Sequence, residues 1–433
     1  MKKNKNQRAI TLSFLSFSLL SFFSYTHAAI VSLNDGEMRN IEGQGLMTLS
    51  YISPTDSQNQ NTGSNIGFYK LGMEAQVDLN ANIKKLQLGC GGVNGAGACD
   101  IDIDYLSLSG VADTSTGRAS SSATITNPFI QFAIKNPNSA STREVAGFRL
   151  SAESIQGLLT FGLENGDAKS GINSFSGYMV TKDTTGTVST GAVNSGLTQS
   201  SLNQAITGKI KSSSGLITAD FTSSNYNLTL SSASGSLSLP SQVITGKRIT
   251  SANLTGTAVV SGIQLGGTVD ADAKVYGFIP ISISGTLSGT VNNLGVNVAV
   301  SEDLGYFHKV NLNGTAASLS MQKQNLIWPD AKSTAQTGWW LELSNPIDIG
   351  DVTPANTVTI TSDVVKQTLS QVSNYLTNNP INCGVLATSC LAGTINTGAV
   401  NLSNSSAVSM GLTNLVLANQ TFTPNCYGSL KFC

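Results

Sequence analysis

Asp100, Asp102 and Asp104 place three carboxylates on alternate residues of one short stretch, the oxygen-donor chemistry that a calcium ion takes. Calcium needs six to eight oxygens, so other elements would have to complete the shell, and close carboxylates repel unless a cation or solvent intervenes. If the stretch is a β-strand, all three point to one face while Ile101, Ile103 and Tyr105 point to the other. A solvated strand face is then the expected reading, with calcium kept as a candidate ligand. The EF-hand pattern is excluded, because the sixth-position glycine and terminal glutamate are missing. A Ser–His–Asp group would rest on His308 alone, and the sequence holds no G-x-S-x-G elbow. The glycines of residues 89–97 do not match the dinucleotide fingerprint, and no Walker loop occurs. The expectation is a protein without enzymatic activity, cofactor or catalytic residue.

Six cysteines carry the other chemistry: Cys90, Cys99, Cys383, Cys390, Cys426 and Cys433. No C-x-x-C is present, so zinc spacing is absent. The three short, isolated gaps favour local disulfides, although six cysteines permit fifteen pairings. Disulfides imply export. Residues 1–28 read as a signal peptide, with Lys2, Lys3, Lys5 and Arg8 ahead of an apolar run and Thr26-His27-Ala28 before the cut.

Composition narrows the class further. Of 433 residues, 40% are hydrophobic but only 11% are charged, where about 25% is ordinary. The formal net charge is −1, and without the four basic leader residues 20 basic residues face 25 acidic ones. A polar but uncharged surface of this kind excludes nucleic-acid binding and coiled coils.

The elements that must position these residues are strands. Alternation at Met73/Ala75/Val77/Leu79, Ile281/Ile283 and Val296/Val298/Val300, punctuated by Gly and Ser, predicts a mainly β chain. The fold expected is extended antiparallel sheets, a β-sandwich or β-roll-like arrangement, with one or two short helices. One helix is predicted near 363–377, capped at Thr361 or Ser362, with Val365, Leu369, Val372 and Leu376 on one face. A short helix is expected near Ser200–Thr207. Trp339 and Trp340 should lie on opposite faces of a strand. The organisation read from the sequence is a signal peptide (1–28), an N-terminal β module with Cys90/Cys99 (29–180), a polar linker or short helix (181–214) and a C-terminal β module with a cysteine-tied tail (215–433).

Directly after the leader, Leu33, Asp35, Glu37, Met38, Ile41, Gly43, Gln44 and Gly45 form the pattern L-x-D-x-E-M-x-x-I-x-G-Q-G. This segment resembles the start of FilA-like proteins, exported surface proteins of Gram-negative bacteria, some from fimbria-type gene clusters. The resemblance covers mainly residues 29–110. It implies a surface or outer-membrane location, with the periplasm as alternative, and an envelope or fimbrial protein, or a host or abiotic surface, as partner. A peripheral contact with the membrane is compatible with it. From the residues themselves comes a second reading, an apolar-ligand (lipid) carrier whose Ile/Val/Leu inner face between Ile249 and Val300 holds acyl chains. A transmembrane β-barrel is a third reading, disfavoured by the lack of aromatic girdles.

Overall fold

The structure is a computed structural model that describes residues 47–163, 169–354, 356–385, 390, 392–413, 415, 417 and 419–428. Residues 1–28, read as a signal peptide, the motif of residues 33–45 and Cys433 lie outside the described residues. The first part of the chain forms β1 (Met47–Ile52), β2 (Ile66–Met73), β3 (Gln76–Leu79), β4 (Ala81–Leu88), β5 (Ile101–Ser109), α1 (Ser115–Ala119), β6 (Ala123–Lys135), β7 (Glu144–Thr160) and β8 (Ile172–Thr181). There follow β9 (Thr184–Thr190), β10 (Val193–Thr198), α2 (Gln199–Leu202), β11 (Thr207–Lys211), β12 (Thr218–Leu230), β13 (Ala233–Leu239), β14 (Val243–Ile249), β15 (Ser251–Ser261) and β16 (Ile263–Val275). The last part gives β17 (Ile279–Asn292), β18 (Leu294–Asp303), β19 (Lys309–Asn313), β20 (Ala317–Gln322), β21 (Gly338–Asp348), α3 (Ser362–Asn378), β22 (Ile381–Asn382), β23 (Ala392–Asn401) and β24 (Val408–Thr413).

Three sheets result, as the mainly β expectation requires. The largest has twelve strands in the order β1-β2-β6-β7-β19-β21-β8-β5-β4, with β3 on β6, β14 on β8, and β20 between β7 and β21. Because β5 also pairs with β7, the strands β7, β19, β21, β8 and β5 close into a nearly complete barrel. A seven-stranded sheet runs β22-β11-β12-β16-β17-β23 with β10 on β12, and a five-stranded sheet runs β24-β18-β15-β13-β9. Most pairs are antiparallel. The exceptions, β8–β21, β11–β22, β17–β23 and β18–β24, join strands far apart in sequence, as parallel pairing demands.

Period-two patterning places the core. In β15, Ala252, Leu254, Ala258 and Val260 are buried while Ser251, Asn253, Thr255, Thr257 and Ser261 face outward. The uncharged surface is therefore the outer half of ordinary alternating strands. Helix α3 forms where its spacing predicts. The Thr361 hydroxyl accepts the Val364 N–H at 3.3 Å, and the helix stops before Pro380. Its buried Val364, Val365, Leu369, Val372 and Leu376 join the same core as the inner faces of the two smaller sheets. Burial of side chains this size stabilises by roughly 1.5–3 kcal/mol each.

The modular organisation read from the sequence needs correction. Residues 181–214 hold the short helix α2 but are not a linker, since they also supply β9, β10 and β11, which are members of the two smaller sheets. Nor do the two modules stay apart, since β14 and β19–β21 return to pair with β7 and β8 in the large sheet. Residues Leu46–Cys433 form one compact unit.

Candidate functional site

Residues directly opposite each other in a ladder point to the same face of the sheet, so the register of the large sheet can be read as rows. One row runs Leu49–Leu71–Ile130–Leu150–Leu319–Leu341 across β1, β2, β6, β7, β20 and β21. The next runs Tyr51–Tyr69–Phe132–Phe148–Met321–Trp339 across the same strands. Twelve apolar or aromatic side chains thus share one face. Tyr51 stacks on Tyr69 with ring centroids 4.4 Å apart, and Phe148 meets Trp339 edge-on at 5.7 Å.

Among the described residues, the rows are covered at one end only. Leu319, Leu341 and Trp339 pack against the main core. Toward β1 the cover is lost: Leu150 is 43% exposed, Ile130 39%, Phe132 38% and Leu49 74%. The opposite face of the same strands is closed by residues 326–340, whose Leu326, Trp328, Ala335 and Trp340 pack on Ile66, Phe68, Ala133 and Ala146. Trp339 and Trp340 therefore serve opposite faces, as expected. On the closed face Arg149 donates to Gln131 at 2.6 Å and lies over the Phe129 and Trp328 rings. Burial pushes its guanidinium down to about 10, against the pull of Glu342 and Asp330.

The face ends at an unprotected edge. β1 reads Met-Thr-Leu-Ser-Tyr-Ile, without charge, proline or bulge, and among the described residues nothing pairs with its outer side. Natural sheets usually blunt such edges, as β4, β14 and β9 do here. β4 carries Lys84 and Lys85, and β14 carries Lys247, Arg248 and a register shift. β9 is covered by Thr353, whose Oγ1 accepts the Thr187 N–H, and by Val358, whose N–H donates to the Ser189 carbonyl.

The aspartate triplet is divided by the fold. Asp102 and Asp104 do share a face, but the cation between them is the Lys85 ammonium, 2.5 and 2.9 Å away. Burial alone would raise the Asp102 carboxyl. Hydrogen bonds from Lys85, Gln87 and Asn173, with the Lys85 charge, outweigh it and hold the group below the ordinary aspartate range. Asp100 is 2% exposed and faces different partners, accepting the Trp339 N–H at 3.0 Å and the Asn94 amide at 3.2 Å. It ties the Gly89–Cys99 hairpin tip to β21. Among the described residues no group of three or more His, Cys, Asp or Glu is arranged to hold a metal. A carboxyl depressed by folding contributes stability above its unfolded pKa and loses it as pH falls through the folded value. Asp102→Asn should therefore cost about 1 kcal/mol at pH 7 and progressively less as pH falls through the folded value, a trend that urea melts across acid pH would read.

His308 is buried, its Nδ1 2.8 Å from the Phe161 carbonyl oxygen, while its backbone N–H donates to Gln420 at 2.7 Å. It joins the end of β7 to the C-terminal segment. Disulfides Cys90–Cys99 and Cys383–Cys390 are formed, matching the local pairing that the short gaps favour. Cys426 is also disulfide-bonded, and Cys433 lies outside the described residues. Arg118 escaped the sequence reading altogether. It sits in a Ser/Thr-rich stretch without apolar periodicity, yet it is fully buried. No helix among the described residues is long and apolar enough to cross a membrane. Compared with known proteins, the chain matches no family model, no curated protein and no solved structure.

Proposed function

We propose that this chain is an exported, non-enzymatic β protein of the cell envelope that works by contact, as a fimbria-associated or adhesive component. The observation that carries the reading is the bare β1 edge at the end of the uncovered apolar rows. An extended segment of an envelope or fimbrial partner adds to β1 through backbone hydrogen bonds, and its alternate side chains continue the Leu49 and Tyr51 rows. Supporting evidence for export is the presence of formed disulfides, which persist in oxidising compartments. The Ser-, Thr- and Asn-rich outer face of the five-stranded sheet suits a molecule packed among other surface proteins.

A Leu49→Lys/Tyr51→Lys double variant tests it. Both side chains are exposed, so stability should change by less than about 1 kcal/mol. Retention of the purified protein on an isolated envelope fraction should fall at least about tenfold, the equivalent of roughly 1.4 kcal/mol. Equal retention of variant and wild type would count against strand addition. External protease acting on intact cells reports the location separately.

A further inference from the structure

Where the two smaller sheets meet across α3, the core is incompletely filled. A cavity of about 60 Å³ lies between them. Ala258 and Val298 from the five-stranded sheet, Leu265 and Val291 from the seven-stranded sheet, and Val365 and Val372 from α3 contribute to its wall. A second cavity of about 20 Å³ lies between the seven-stranded sheet and α3, and Leu265 and Val372 border both. The wall of the larger cavity holds no aromatic ring and no charge. Its two hydroxyls are turned back on the main chain, Thr190 toward the Ala233 carbonyl at 3.3 Å and Thr368 toward the Val364 carbonyl at 2.8 Å. An enclosed space of this chemistry stays dry, and an empty one is destabilising.

These facts select an occupant. A polar ligand group would find no hydrogen-bond partner in the cavity, whereas aliphatic side chains on every side match a saturated chain. The part of the wall that belongs to no sheet is α3. Side-chain bonds tie it to its neighbours, Ser370 with Gln204 at 2.9 Å, Ser373 with the Thr207 N–H at 3.1 Å and Gln367 with the Ser409 N–H at 3.0 Å. Because α3 pairs in no ladder, an outward shift of the helix breaks none directly, although β22, which follows it after Asn379-Pro380, is tied to β11. As it stands the larger cavity admits roughly four to six atoms of water size; a longer chain requires that shift.

We infer that this cavity binds the hydrocarbon chain of a single-chain amphiphile such as a fatty acid, with α3 as the displaceable wall. This site is separate from the β1 edge and does not rest on strand addition there.

The test is a fluorescence titration of the delipidated full-length mature protein with cis-parinaric acid, competed by dodecanoic acid. Wild type should give a saturable, competable signal. Ala258→Phe and Val365→Phe fill the cavity from the sheet and the helix side respectively, so the result does not hang on one variant folding. Each folded variant should bind about tenfold more weakly, and Leu49→Lys should bind as wild type does. Absence of a saturable signal in wild type overturns the inference. So does binding that survives both filling substitutions, or binding lost in Leu49→Lys, which places the chain on the large sheet instead.

Discussion

Arg118→Met should lower the stability of the protein by at least about 2 kcal/mol, because buried acceptors lose their donor. The guanidinium is fully buried. Its Nε donates to Ser109 Oγ at 2.8 Å, and its terminal nitrogens donate to the Thr423 carbonyl at 2.7 Å, Ser107 Oγ at 3.3 Å, and Thr160 Oγ1 and the Leu158 carbonyl at 3.4 Å. Burial pushes the group down to about 10, which leaves it charged at pH 7. No carboxylate is among its hydrogen-bond partners, so hydroxyls and carbonyls from β5, β7 and the C-terminal segment carry the compensation. Methionine replaces most of the volume but leaves those acceptors buried without a donor, each at roughly 1–3 kcal/mol. Urea denaturation measures the loss. A change under about 1 kcal/mol would mean that these bonds contribute little.

Gly177→Ala should cost at least about 3 kcal/mol, at the upper end of overpacking effects. Gly177 lies where β8 meets both β14 and β21, opposite Gly246 and Leu341, beside the last residue of the Leu49 row. A Cβ there would fall on the Leu341 carbonyl oxygen and within 2.5 Å of the Phe175 ring. The obstacle is main chain held in a parallel ladder, so a side-chain rotation does not relieve it. The expected readout is a large drop in melting temperature, with slower protease resistance lost first from the large sheet. A melt unchanged from wild type would show that the β8–β21 junction yields easily.

What the sequence made legible was local. The α3 helix followed from one cap and four apolar spacings, and β17 and β18 followed from alternation, because in each case neighbours within a dozen residues determine the geometry. Pairing between distant segments left no such mark. Thr184–Thr190 buries little apolar surface beyond Val188, so it resembles a linker until β13 lies beside it. The regular alternation from Met73 to Leu79 misled in another way. It is broken between β2 and β3, where the Asn127 N–H reaches the Ala75 carbonyl, and Val77 and Leu79 remain 37% and 40% exposed instead of entering a core. The aspartate triplet had the right periodicity but an invisible counter-ion, since only the β4–β5 register brings Lys85 opposite Asp104. The apolar rows were equally hidden. Each strand contributes two side chains that look like ordinary core residues, and their exposure emerges only when six strands are set in register, with nothing among the described residues laid over four of them.

The central claim, that β1 receives a strand from a partner, is met most directly by hydrogen–deuterium exchange on the peptide spanning Met47–Ile52. The comparison is between free purified protein and the same protein bound to isolated envelope. Outward-facing amides of β1 should exchange rapidly in the free protein and become protected in the bound one, while β4 and β14 stay unchanged. Identical exchange of β1 in both states would contradict the account.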